Sequence, residues 1–328
     1  MTRRTGGAAP RAGYHRRMWT ALSLALAYGA ILAIYGAFVA ARVAAGASAW
    51  PYVLALPLVY LAVPFAFVLV WFAVAWRFRG ERPRDRHRLT WRERARLFAD
   101  EFATVAGNAP RMIAFRWLMR DPPPAPADLP ILLVHGVLCN AGVWHPLARF
   151  LRAQGVGPVY AISYGPPLAS IDAFARQVAA RVDAIRAATG APKVLVVAHS
   201  MGGLVMRAYL RDFGGSAIAR LVTLGTPHQG SMHAWMAVGA CLAQMRPGNA
   251  WLAALGAPSG DALPPIVSLW SWHDSMVAPQ TSSRIRFGEN VELSGVAHNA
   301  LLRDPAVFEC VLQQIRAARG EAGLAPYQ

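Results

Sequence analysis

Ala198-His199-Ser200-Met201-Gly202 follows the apolar run Val194-Leu195-Val196-Val197 and precedes Gly203-Leu204-Val205-Met206. A β-branched run that breaks at a serine between small residues and then turns helical is a strand-to-helix elbow, which lifts a hydroxyl out of a parallel sheet. Small residues are needed on both sides because the serine takes up a strained conformation where strand and helix nearly touch. Such a serine supports nucleophilic attack on an acyl carbonyl, provided a base takes its proton. The plainer reading of the same residues is a buried strand ending in a glycine-rich turn with an incidental serine.

An elbow serine is followed along the chain by an acid and then a histidine. Asp274 lies just past the apolar stretch Ile266-Val267-Ser268-Leu269-Trp270, and His298 lies in Ser294-Gly295-Val296-Ala297-His298-Asn299, after a short strand at Val291-Glu292-Leu293. Ser200, Asp274 and His298 thus occur in the required order at the C-terminal ends of predicted strands, where open α/β sheets place their sites. Asp261 sits in a Gly/Pro-rich stretch before the Ile266 strand and approaches from the wrong end, and Asp304 is out of order. Asp172, Asp183 and Asp212 fall on helical patterns as solvated charges. His199 is inside the elbow with its side chain directed by the turn, and His228 lies too far upstream to follow the acid.

A tetrahedral oxyanion needs donors. The run Ile131-Leu132-Leu133-Val134 ends in His135-Gly136-Val137, a loop whose glycine lets backbone N–H groups turn toward the serine. The expected donors are the N–H groups of Val137 and Met201, with His135, Gly136 and Gly202 supporting them. Taken alone, His135-Gly136 also reads as an ordinary strand-ending turn.

Four segments carry a resemblance: Val134-His135-Gly136, Ala198-His199-Ser200-Met201-Gly202-Gly203, Leu224-Gly225-Thr226-Pro227-His228-Gln229-Gly230-Ser231 and Gly295-Val296-Ala297-His298. With them, residues 129–319 resemble the α/β-hydrolase superfamily and, within it, bacterial triacylglycerol lipases and esterases. The resemblance implies hydrolysis of carboxylic esters on acyl substrates, with Ser200, Asp274 and His298 as the triad and no cofactor. Thioesterases and phospholipases share this machinery, and a membrane-anchored interaction protein that has lost activity is a reading of a different class. Larger bacterial lipases hold a structural calcium partly through an aspartate two residues after the catalytic histidine; here that position is Ala300, so calcium is not implied.

The expected fold class is α/β: a mostly parallel sheet with flanking helices and a small helical cap, preceded by a two-helix transmembrane hairpin. Strands at Ile131–His135, Val159–Ser163, Val194–Ala198 and Arg220–Leu224 alternate with helices near Val143–Gln154, Ile171–Thr189 and Met201–Phe213, as parallel sheets with crossover helices require. This hydrolase region covers 131–328. Within it, 231–262 carries Met232, Trp235, Met236, Val238, Leu242, Met245, Trp251, Leu252 and Leu255 with almost no charge. That stretch reads either as a lid over an acyl chain or as a core-packing helix pair.

The N-terminal region, 1–88, has two uncharged apolar segments at about 20–41 and 50–76, each of the length that spans hydrocarbon, about 20 residues. Trp19, Trp50, Tyr52 and Trp76 stand at their ends, as interfacial aromatics do. Arg3, Arg4, Arg11, Arg16 and Arg17 precede the first segment and Arg77, Arg79, Arg82, Arg84, Arg86 and Arg88 follow the second, whereas the loop between holds only Arg42. The positive-inside rule then puts both termini, and the hydrolase, on the cytoplasmic side of a bacterial inner (cytoplasmic) membrane. Ala47-Ser48-Ala49 resembles a signal-peptide cleavage site, but the first apolar segment is longer than a signal core. From 89 to 130 a basic amphipathic segment, suited to a membrane interface or to packing on the hydrolase, runs into the proline-rich linker Asp121–Pro130.

Net charge is +16, and 18 arginines against 5 acidic residues lie in 1–120. The basicity is therefore juxtamembrane, which removes the case for nucleic-acid binding and favours membrane lipids and an acyl ester as partners. Oligomeric state is not encoded in any feature of the sequence. Cys139, Cys241 and Cys310 are odd in number and widely spaced, suiting neither a disulfide framework nor a zinc site.

Overall fold

Parallel strands covered on both faces read as unbroken apolar runs, and here those runs become the centre of a six-stranded sheet. The computed structural model describes residues 18–83, 85–256 and 263–324. Asp261 and Arg3, Arg4, Arg11, Arg16, Arg17 and Arg84 lie outside the described residues, so the orientation argument rests there on sequence alone.

The strands are β1 (Ile131–Val134), β2 (Val159–Ile162), β3 (Val194–His199), β4 (Ile218–Leu224), β5 (Ile266–Ser271) and β6 (Glu289–Leu293). They lie in the order β2-β1-β3-β4-β5-β6, every neighbouring pair parallel. Four helices precede the sheet, α1 (Trp19–Ala44), α2 (Trp50–Arg77), α3 (Trp91–Ile113) and α4 (Phe115–Leu118), and the strands are then interspersed with α5 (His145–Ala153), α6 (Ile171–Thr189), α7 (Met201–Phe213), α8 (Ala240–Met245) and α9 (Ala250–Leu255) and followed by α10 (Pro305–Glu321). The expected helix at Val143–Gln154 divides into a 3₁₀ turn, Ala141–Trp144, and α5. Asn140 caps the turn through the Gly142 N–H, and Pro146 stands in the first turn of α5.

Alternation sorts the core. Ile131, Leu133, Leu195 and Val197 pack with Trp144, Leu147, Val307 and Val311 on one face, and Leu132, Val134, Val194 and Val196 pack with α6 and α7 on the other. The register pairs Val134 with Ala198, His199 with Leu224, and Leu224 with Leu269. The loops after β1, β3, β4 and β5 therefore leave from one rim of the sheet.

α1 and α2, of 26 and 28 residues, are long and apolar enough to cross a membrane. Their buried residues are confined to Thr20 and Ala21 in α1 and to Pro64, Val68 and Ala75 in α2. The basic amphipathic segment packs on the sheet layer: a capping box between Thr90 and Glu93 starts α3, and Leu97, Met112 and Phe115 join the core beside β1. Leu97, Glu101, Thr104, Asn108 and Met112 form its buried stripe, the helical spacing of one face. Its other face meets α2, where Phe98 lies 5.6 Å from Phe65 and 5.8 Å from Phe72.

The 231–262 stretch divides. Ala234, Cys241, Leu242, Met245, Leu252 and Leu255 are buried in the core, whereas Trp235, Met236 and Val238 are exposed. The buried residues of this stretch pack as core helices do, and its large exposed apolar residues lie at 235–238.

Candidate active site

At the end of β3 the chain must reverse into α7 within one residue, and Ser200 takes the turn with φ 57° and ψ −129°. A side-chain-bearing residue held in that region is strained by about 1–3 kcal/mol, and persists because its surroundings dictate it. Those surroundings are tight. The Ser200 N–H donates to the Leu224 carbonyl at 2.8 Å. A Cβ on Gly202 would come within 2.5 Å of the Val134 carbonyl oxygen and 2.7 Å of that of His135, and one on Gly136 within 2.8 Å of the Ser200 Cβ. The loop after β1 thus lies directly against the elbow. Among the described residues neither the Val137 nor the Met201 N–H has a backbone acceptor.

His135 fixes that loop. Its Nδ1–H donates to the Gly136 carbonyl at 2.8 Å, its Nε2 accepts the Tyr164 N–H at 3.4 Å, and its ring stacks on Tyr164. Burial pushes its pKa down to about 4. The ring is therefore neutral at pH 7, in the tautomer these two bonds require.

Asp274 and His298 meet at 2.8 Å, Oδ2 to Nδ1, both 1 % exposed. The second carboxylate oxygen of Asp274 accepts the Met276 and Val277 N–H groups at 2.8 and 2.7 Å. Burial opposes charge on His298, but the charge of Asp274, its hydrogen bond and the charge of Glu101 outweigh burial and raise the pKa above the ordinary histidine value. The segment Leu224-Gly225 joins this pair to the elbow. Leu224 accepts the Ser200 N–H, and a Cβ on Gly225 would lie 2.9 Å from Asp274 Oδ2 and 3.2 Å from His298 Nδ1.

Three residues outside the expected set attach here. His199 points back from the elbow, and its Nε2–H donates to the His298 carbonyl at 3.0 Å. Burial, with the charge of His298 adding to it, holds the His199 pKa well below the usual value. Glu101, fully buried on α3, accepts bonds from Ser275 Oγ, Asn299 N, Asn299 Nδ2 and Ala300 N. His233 of the cap donates from Nε2 to the Trp71 carbonyl of α2 at 3.1 Å. Only Glu101 left a signal in the sequence, an acid on the inward stripe of an amphipathic helix. His228 lies elsewhere, bonded to Thr223 Oγ1.

The cleft beside these groups is lined by His135, Gly136, Val137, Leu138, Tyr164 and Met201, and Thr20 of α1 closes it by donating to the Cys139 carbonyl at 3.1 Å. Its free volume is about 10 Å³, which is room for a single water at most. Larger cavities of about 490 and 540 Å³ open between Pro124 and Pro192 and beside Arg207 and Phe287, and none of Ser200, Asp274 and His298 lines these or the small cleft. Among the described residues no cluster of His, Cys, Asp and Glu is placed to hold a metal ion.

Comparison with known proteins bears on the fold that carries these residues. A family model for the alpha/beta hydrolase fold matches residues 130–254. Triacylglycerol lipases of Pseudarthrobacter phenanthrenivorans and Burkholderia plantarii are each 33% identical to the chain over 117 residues, 31% of this chain and 34% and 30% of theirs. The chain thus spans about a third of the length of the curated relatives it matches. The mature lipase BlEst2 of Bacillus licheniformis superposes with a TM-score of 0.53 at 18% identity, covering 60% of this chain and 96% of that one. Aspergillus fumigatus lipase B gives 0.53 at 18%, covering 66% and 58%. The fold is that of the α/β hydrolases, and the matched stretch resembles lipases and esterases.

Proposed function

We propose that this chain, built on the α/β-hydrolase fold, is a membrane-anchored serine hydrolase that cleaves carboxylic esters of acyl lipids. The observation that carries the reading is Ser200, held at φ 57° against the loop after β1 and joined through Leu224-Gly225 to a buried Asp274–His298 pair 2.8 Å apart. In this mechanism Ser200 Oγ attacks the ester carbonyl while its proton passes to His298 Nε2. Asp274 holds the ring and stabilises the imidazolium. The Val137 and Met201 N–H groups receive the oxyanion. Collapse expels the alcohol, which takes the proton from His298, and water repeats the sequence on the acyl-enzyme to release the acid.

The lipid substrate and the anchor rest on the hairpin. Apart from its docked base it is exposed apolar surface, with Ile34 and Leu54 more than 70 % accessible (72% and 76%), an area that hydrocarbon covers favourably. The cap reaches α2 through His233 and Trp71 and presents Trp235, Met236 and Val238 beside it. A lid in contact with the hairpin supports a substrate drawn from the adjoining leaflet. The positive-inside pattern puts this leaflet on the cytoplasmic side.

Membranes bearing the full-length chain treated with a fluorophosphonate should give a labelled band that Ser200→Ala abolishes together with ester hydrolysis. A chain that neither labels nor hydrolyses any ester is an interaction protein on a hydrolase scaffold, and labelling that survives Ser200→Ala puts the nucleophile elsewhere.

A further inference from the structure

Glu101 is a carboxylate with no access to solvent, a costly arrangement unless every oxygen is satisfied. All its partners are donors: Ser275 Oγ at 2.6 Å, Asn299 N at 2.9 and 3.1 Å, Asn299 Nδ2 at 2.9 Å and Ala300 N at 2.9 Å. An ionised carboxylate is the acceptor-only group that such a shell fits. The partners come from two loops. Ser275 directly follows Asp274, Asn299 and Ala300 directly follow His298, and Ser275 Oγ also accepts the His298 N–H at 3.4 Å. One side chain thus ties the acid loop to the histidine loop. The helix carrying it is bound to α2 by Phe98 and Phe102 against Phe65 and by the Tyr60 hydroxyl on the Ala106 carbonyl.

We propose that Glu101 is a positioning residue for His298, locking the Asp274 and His298 loops in register and transmitting the seating of the apolar hairpin to the catalytic base. The proposal rests on the serine-hydrolase reading above. Two consequences distinguish it from a packing role. Loss of the clamp costs kcat rather than KM, since the misplaced group acts on the proton in flight. Loss of the negative charge also makes the His298 imidazolium easier to deprotonate. The groups facing His298 are Asp274 after β5, Glu101 on α3, His199 at the elbow and His233 in the cap. Burial lowers the pKa of both of these histidines, so the two carboxylates set the charge that His298 feels.

The test uses the full-length chain in detergent micelles, with Glu101→Gln and Glu101→Ala, a soluble chromogenic ester and the pH dependence of the fluorophosphonate labelling rate. Glu101→Ala should lower kcat about 100-fold with KM little changed, the scale set by small misplacements of a reacting group. Glu101→Gln keeps one acceptor and should recover part of that loss, while the acid limb of its labelling profile moves to lower pH. Wild-type kcat and an unmoved acid limb in Glu101→Gln overturn the proposal. So does a fall in kcat without movement of the limb, which would make Glu101 a packing residue. Wild-type protein that does not label overturns the serine-hydrolase reading itself, a result that no Glu101 variant can produce. Thermal melting of each variant separates lost positioning from lost folding.

Discussion

His199 and His298 face each other across the base of the elbow, their rings 4.6 Å apart and the His199 Nε2–H on the His298 carbonyl. The residue beside Ser200 thus holds the backbone of His298, the base in the proposed mechanism. A neutral His199 can donate from Nε2 only if Nδ1 is bare, and Nδ1 has no partner among the described residues. His199→Phe keeps an aromatic ring, slightly larger, and removes the donor, leaving a buried carbonyl unpaired at a cost of about 1–3 kcal/mol. A lower unfolding midpoint and about tenfold slower turnover are expected. Denaturation and steady-state kinetics measure both, and unchanged values in each would remove the role.

Ser200→Gly should separate strain from chemistry. Glycine accepts φ 57° without the steric cost of a side chain, so the variant should lose all turnover yet gain about 1 kcal/mol in stability. A destabilised Ser200→Gly would show that the elbow is not a reservoir of strain.

Gly202→Ala places a Cβ against two backbone oxygens, of Val134 and His135, which cannot swing aside as a side chain would. The loop bearing Val137 must move. Loss of one oxyanion donor costs about 100- to 1,000-fold in kcat, and that range is expected here with KM nearly constant. Turnover within twofold of wild type would show that the loop takes no part.

Two histidines give opposite pH signatures. His135 has a folded pKa of about 4 against about 6.5 in the unfolded chain. The unfolded state therefore binds its proton first, and stability falls as pH drops from 6.5 to 4. The folded pKa of His298 is raised, so its contribution is fully present below about 6.5 and is lost as pH rises through the folded value. Activity needs the neutral base, so the acid limb of kcat/KM should lie above the ordinary histidine value and move down in Asp274→Asn. Urea titrations at pH 7 and 5 test the first statement and pH–rate profiles the second.

Met236→Asp with Val238→Asp puts charge on the exposed part of the cap, away from the core. Hydrolysis of acyl lipids in vesicles should fall about tenfold or more while soluble esters are cleaved as before, because charge at an interface costs a few kcal/mol. Equal effects on both substrates would detach the cap from the lipid surface.

The strands were legible because their apolar runs are buried on both faces, and Ser200, Asp274 and His298 stand where the ends of β3 and β5 and the loop after β6 deliver them. β6 begins two residues before its apolar part, since Glu289 and Asn290 pair with β5 at an exposed edge. Partners far apart in sequence were not legible. Glu101 bonds groups 174 to 199 residues away, and only the inward position on its helix set it apart. The turn that directs the His199 side chain does not say which loop that side chain meets.

The place of α3 has a practical consequence. Cutting the chain at the proline stretch Asp121–Pro130 to obtain a smaller soluble fragment would discard Leu97, Met112 and Phe115 from the core together with the carboxylate between the Asp274 and His298 loops. The remaining fragment would have a bare apolar flank and a floppy histidine, prone to clump and slow to turn over. Purification by excision is thus closed off, and the molecule has to be handled whole.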